Sequence, residues 1–237
     1  ILVYLRRQDL VATSLFSTLC KSGGSSDGIL PSQITPDDYY YNYFNLLEKW
    51  AAVFGESNII PRIFEKEKLF QEDLIQDFIQ SCGRIQPDWD LVRPGNQNTS
   101  LSSITQDIIN RFNRHFPKYA ESPPGIFSDE IRSRLIEELE SRFPGNRVNL
   151  SRKEAIDFYQ VFAESNRLLA QKWFHTTTLF SEDFSQYPEK CDPTSISLEI
   201  LDILFKIFAD FHKKHLLPLR TSIERINFQE DPGATFR

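Results

Sequence analysis

The chain opens with Ile1-Leu-Val-Tyr-Leu5, an unbroken apolar run with β-branched and aromatic members, and turns at once into Arg6-Arg7-Gln8-Asp9. That run reads as a buried strand, and buried strands belong to parallel sheets covered by helices. Asp9 is a natural N-cap, and Leu10, Ser14 and Ser17 recur behind it at helical spacing. The opening therefore predicts an α/β fold with a small, parallel, Rossmann-like sheet. In such sheets ligands bind beyond the carboxyl ends of the strands. An anion placed there would meet a guanidinium, a helix N-terminus and a hydroxyl together.

Arg6 and Ser14 stand eight residues apart. That spacing can bring an arginine at a strand tip and a serine one to two helical turns on to the same phosphate. An Arg-Arg pair after a strand also commonly pairs with surface carboxylates, and serine is common on helices, so both readings stand on the residues alone. The segment from Tyr4-Leu-Arg6-Arg7-Gln-Asp9 to Ser14 resembles the sulfotransferase family, in a bacterial branch. That family's 3′-phosphate motif has an Arg at a strand end and a Ser eight residues later. The resemblance implies a P-loop NTPase-like core and 3′-phosphoadenosine 5′-phosphosulfate (PAPS) as co-substrate, with no metal. Arg6 would grip the 3′-phosphate bidentately and Ser14 would add a hydroxyl. Arg7 would be the weaker partner, because neighbouring side chains on a strand point oppositely. The acceptor it implies is a hydroxyl of a glycan or small molecule. In the family a preceding βα unit carries the 5′-phosphosulfate loop. This sequence begins in a strand and has no Met, so the resemblance implies a sulfotransferase truncated before that loop.

A second unit looks similar. Asp37-Asp38 opens a predicted helix whose stripe is Tyr40, Tyr43, Phe44, Leu47, Ala51 and Phe54, stopped by Gly55. Asn58 to Glu65 reads as a second strand, and Pro61 inside it demotes it to an edge or bulge position. A helix follows with Leu69, Leu74 and Phe78 inward, ending at Gly83. Strand, Phe64-Glu65 and helix together resemble the sulfotransferase "strand, Tyr/Phe-Glu, helix" unit. Residues 84–102 are turn-rich, and Asn98 or Ser100 can cap the next helix.

From Ser103 the periodicity is almost entirely helical. Ile104, Ile108, Phe112 and Phe116 form one stripe, and Ile131, Leu135, Leu139 and Phe143 another. Ser151-Arg-Lys-Glu154 is a capping box, starting a helix that reads through Phe162 towards Trp173. Leu179 to Glu189 is a loop with aromatic anchors. A last helix spans Ser195 to about Leu217, with Ile196, Ile200, Leu204, Phe208 and Phe211 on one face. The organisation read from this pattern is a partial α/β nucleotide-binding core over 1–95 and a helical region over 96–237 packed on it.

Net charge is −6 and the isoelectric point about 5.3, which argues against a general nucleic-acid binder. Cys20, Cys82 and Cys191 show no zinc-site spacing and fit a reducing, cytoplasmic compartment. No apolar run reaches membrane-spanning length, so no membrane is expected. No Walker phosphate loop, GxGxxG, HExxH or GxSxG occurs. The catalytic base is not assigned: Glu65 and His115 are the two acid–base side chains considered, and neither is taken as a site. Two other function classes remain. One is a non-catalytic helical interaction module with a degenerate nucleotide-binding fold. The other is a P-loop kinase or other nucleotide enzyme, which needs a phosphate loop upstream.

Overall fold

The computed structural model describes residues 1–83, 99–118, 126–147, 150–191 and 197–218. It is a mixed α/β structure, mostly helical, whose described residues contain one two-stranded parallel sheet. The chain divides into two compact units, each discontinuous in sequence.

The first unit comprises Ile1–Ser17, Ser26–Ser100 and Val148–Asp192. Strand β1 is Leu2–Leu5 and strand β2 is Ile60–Ile63, paired in parallel with Leu2 opposite Ile60 and Leu5 opposite Ile63. Parallel neighbours need a crossover, supplied by helices α1 (Gln8–Lys21) and α2 (Tyr43–Phe54). The amides of Ile60 and Phe64 donate to Ile1 and Leu5 carbonyls at 2.7 Å. Backbone direction alternates along a strand, so Pro61 has its missing donor on the side away from β1. The edge position expected for this strand is what makes the proline tolerable.

Helix α3 (Leu74–Ser81) follows β2, and α6 (Arg152–Val161) and α7 (Ala163–Phe174) complete the unit. Leu5, Leu47, Ile63, Leu169, Phe180 and Tyr187 meet in its core. The aromatic loop after α7 behaves as its anchors suggest, with Leu179, Phe180, Phe184 and Tyr187 all buried.

Several sequence expectations are corrected here. Asp9 is not the N-cap of α1: the helix starts at Gln8, and the Arg7 carbonyl accepts from the Leu10 and Val11 amides at 3.0 and 3.1 Å. Helix α2 starts at Tyr43, capped by Asn42, whose side chain accepts from the Asn45 amide at 2.9 Å. Asp38 instead turns the preceding loop by accepting from the Tyr40 amide. Gly55 does stop α2, at φ +86°, a backbone angle that side-chain-bearing residues rarely adopt. Helix α3 shows Leu74 and Phe78 to solvent, 40% and 50% exposed, and buries Asp77 instead. The helix read through Phe162 breaks there, and α7 begins afresh at Ala163. The capping box at Ser151 and Glu154 is formed in both directions.

The second unit comprises Thr18–Ser25, Leu101–Arg147 and Pro193–Arg237. Its helices are α4 (Ser103–His115), α5 (Ile126–Arg142) and α8 (Leu198–Phe211), the last running into a π turn at His212–Leu216. Ser102 caps α4, rather than Asn98, which lies outside the described residues, or Ser100. Helix α5 packs on α4 and α8. Ile131, Leu135 and Leu139 are buried as their spacing implies, and so are Ile108 and Phe112. On α8 the buried stripe is Ile200, Ile203 and Ile207, while Phe208 is exposed and Ile196 lies outside the described residues.

A polar knot ties this unit together. Arg132, 3% exposed, donates to the Asn113 side chain at 2.7 Å and to the Phe116 carbonyl at 3.0 Å, and pairs with Asp129. Asn113 in turn donates to the Cys20 and Gly24 carbonyls at 2.9 and 2.7 Å. Gly23 sits beside it at φ +87°, where an added Cβ would fall 2.7 Å from the Lys118 Cβ.

Candidate functional site

At the carboxyl end of β1 the two arginines part company. Arg7 turns inward and is 3% exposed. Its guanidinium meets Asp9 at 2.8 and 3.0 Å and donates to the Ser181 and Asp183 carbonyls at 2.6 and 2.8 Å. Its Cζ stacks 3.9 Å from the centre of the Phe184 ring. Asp9 has no exposure and also accepts from the Tyr187 hydroxyl. A carboxylate in the first turn of α1 also complements that helix's dipole. Burial, then the negative charge of Asp9, pushes the Tyr187 hydroxyl well above its ordinary range. Arg7 is thus consumed by structure: it fastens the aromatic loop to the strand tip.

Arg6 is less enclosed than Arg7, although both line the same cleft. Its carbonyl is held by the Tyr43 hydroxyl at 2.7 Å. Its guanidinium is half-buried, with Cζ 5.7 Å from the centre of the Phe64 ring. Burial, the largest influence on it, lowers its pKa from the ordinary value. Among the described residues no carboxylate lies within ion-pairing distance of it. A guanidinium stripped of part of its water and given no carboxylate is electrostatically costly unless an anion joins it.

Arg6 and Ser14 line one cleft of about 330 Å³, whose other walls include Tyr4, Tyr40 and Phe64. Ser14 projects from α1 two turns after its start, as its spacing from Arg6 requires. Arg6 also lines a larger cleft of about 700 Å³ with Arg7, Lys66 and the carboxylates Glu65, Glu67, Glu72 and Asp183, none of them within ion-pairing distance of its guanidinium. One side chain therefore bridges two hollows.

Tyr4 is fixed by a network that the sequence did not advertise. Its hydroxyl donates to Asp77 at 2.7 Å. The Arg62 guanidinium pairs with the same carboxylate, and the Phe70 amide donates to it at 2.8 Å. Burial alone would push the Asp77 carboxyl up; Arg62, Phe70 and Tyr4 overcome this and hold it at about 2. The sequence offers no hint of this node, since the positions three and four residues from Asp77 on α3 are Asp73, Leu74, Gln80 and Ser81.

The two acid–base candidates fall elsewhere. Glu65 accepts from the Ser181 amide at 2.9 Å and pairs with Lys68 at 3.1 Å, so it braces the aromatic loop rather than capping a helix. His115 ends α4 in the second unit. Arg167 is exposed and paired with Glu164. Among the described residues no group of three or more His, Cys, Asp and Glu is arranged to hold a metal ion. Among them, too, no helix is long and apolar enough to cross a membrane.

The chain is similar to an uncharacterised protein of Archaeoglobus fulgidus, 29% identical over 248 residues. That alignment takes in 99% of this chain and 64% of the archaeal protein, so the chain spans just under two thirds of that relative's length. No protein-family model matches the chain. No solved structure matches it.

Proposed function

We propose that the Arg6–Ser14 cleft takes the 3′-phosphate of PAPS, and that the protein is a sulfotransferase-like enzyme acting on a hydroxyl of a glycan or small molecule. The observation that carries this reading is Arg6 itself: desolvated, without a described carboxylate partner, and on the wall of a cleft it shares with Ser14. A phosphate monoester dianion suits such a group, because a guanidinium binds two of its oxygens in parallel. The fold proposed with it is a Rossmann-like, P-loop-type core, of which β1, α1 and β2 would form part.

PAPS supplies the sulfuryl group. The acceptor oxygen forms the new S–O bond, the bond to the phosphate breaks, and 3′,5′-ADP leaves as the hydroxyl proton passes to a base that this reading does not assign. The residues of this chain bind and orient. Arg6 and Ser14 would hold the 3′-phosphate, Tyr43 pins the backbone of Arg6, and the Arg7–Asp9–Tyr187 cluster keeps the strand tip in place.

The test is calorimetric titration with 3′,5′-ADP. Losing one charge-assisted bidentate contact removes about 1.5–3 kcal/mol, so Arg6→Ala should weaken binding on the order of 10- to 100-fold. Arg6→Lys should recover only part of it. Equal heats for parent and Arg6→Ala, or no heat in either, would defeat the proposal. The latter result would favour a non-catalytic helical module, a reading that the predominance of helix over a two-stranded sheet supports.

A further inference from the structure

In the second unit, α4 and α8 leave a groove between them of about 190 Å³. Its floor is Ile108 and Phe112 from α4 and Ile200 and Leu204 from α8, and it is apolar almost throughout. Interiors normally close such space, because every unfilled contact forfeits dispersion energy. An apolar cavity of about 150 Å³ in another protein accepts a benzene ring, so this groove has room for one ring and little more.

Its rim is not apolar. Asp107, Arg111 and His115 line it at successive turns of α4. Arg111 is exposed, and no carboxylate among the described residues, Asp107 included, lies within ion-pairing distance of its guanidinium. Asp107 is half-buried at one end of the row; Arg111 and His115 occupy the middle and the other end.

We propose that this groove binds a monocyclic aryl carboxylate. The ring would lie on Ile108, Ile200 and Leu204 with the Phe112 ring at its edge, and the carboxylate would reach Arg111, with His115 beside it. The fit follows from the volume, the aromatic wall and the carboxylate-free guanidinium at the mouth. Edge-to-face contact with Phe112 favours an aromatic ring over an alkyl chain of equal size. A neutral ring of the same shape would leave the Arg111 side of the mouth without a counter-charge.

The probes are 3-phenylpropanoate and its neutral counterpart 3-phenylpropan-1-ol, titrated by NMR into the full chain. For a ligand this small, the dissociation constant of the acid should be on the order of 1 mM. The acid should bind about tenfold more tightly than the alcohol. Arg111→Gln should abolish that preference while leaving alcohol binding unchanged. Leu204→Trp, which fills the groove from a half-buried position, should remove both, with helical circular dichroism retained. Equal affinity of acid and alcohol in the parent would overturn the proposal. So would absence of binding by either, or binding that survives Leu204→Trp.

Discussion

Substituting Asp77 by Asn perturbs the network beneath Tyr4, and its consequence can be worked out from the structure. Asp77 is wholly buried and accepts from Tyr4, Arg62 and the Phe70 amide. Asn keeps the shape, removes the charge and leaves Arg62 without a partner. Stranding a fully buried charge costs about 3–5 kcal/mol, but the Arg62 side chain is 33% exposed and can turn towards water. About 2–3 kcal/mol is therefore expected near pH 6. The carboxyl is held at about 2, against 3.8 for the free side chain. A group whose folded value is depressed adds stability above its unfolded value and loses it as pH falls through the folded one. That contribution is about 2 kcal/mol, fully present above pH 5 and disappearing between about pH 4 and pH 2. Urea unfolding can be followed through Trp50 and Trp173, which pack against the core of the same unit. The stability gap between parent and Asp77→Asn should shrink by about 2 kcal/mol from pH 6 to pH 2. Tyr4→Phe should cost about 1 kcal/mol at pH 6 and keep most of the parent's acid dependence. A gap that stays constant over this range would refute the assignment of the acid dependence to Asp77.

Other outcomes follow from features already described. Arg7→Ala should destabilise the first unit by at least about 3 kcal/mol, because it leaves buried Asp9 unpaired, and thermal unfolding would register it. Arg7→Lys should rescue little, since a single ammonium cannot reproduce the guanidinium's contacts to Asp9 and the Ser181 and Asp183 carbonyls. Ser151→Ala should cost about 1 kcal/mol by removing the cap of α6, as read in urea melts. Burial pushes the Cys20 thiol up to about 12, whereas Cys82 and Cys191 are exposed. Two thiols should therefore react with a disulfide reagent in the native protein and three after denaturation.

What the chain disclosed in advance was local. Gly55 ended α2 and the serine–glutamate box started α6 because their deciding interactions lie within four residues, and the opening apolar run became β1 as its composition implies, though its partner strand lies far along the chain. The cleft brings together Arg6 and Ser14, whose relation also depends on one strand and the helix after it. What stayed hidden was settled by distant partners. Asp9 has the composition of a cap, yet its carboxylate is claimed by Arg7 and by Tyr187, 178 positions away. Asp77 shares its helix face with Asp73, Gln80 and Ser81, and only the meeting of Tyr4 and Arg62 on adjacent strands explains its burial. The interruption at Phe162 carries no Gly or Pro to announce it, and on α8 Ile203 and Ile207 are buried with Ile200, while Leu204 and Phe208 are not. Two interleaved units cannot be drawn by cutting a sequence once.

The tether from Tyr187 back to Asp9 has a consequence for biosynthesis. A ribosome delivers the strand tip early and its fastening loop only after most of the remaining chain has emerged. Until then a cationic pair and a carboxylate sit at an unfinished rim, open to promiscuous salts and chaperones. Nascent chains stalled while residue 187 is still enclosed by the ribosome should therefore remain protease-sensitive around residues 1–9, and released chains should not.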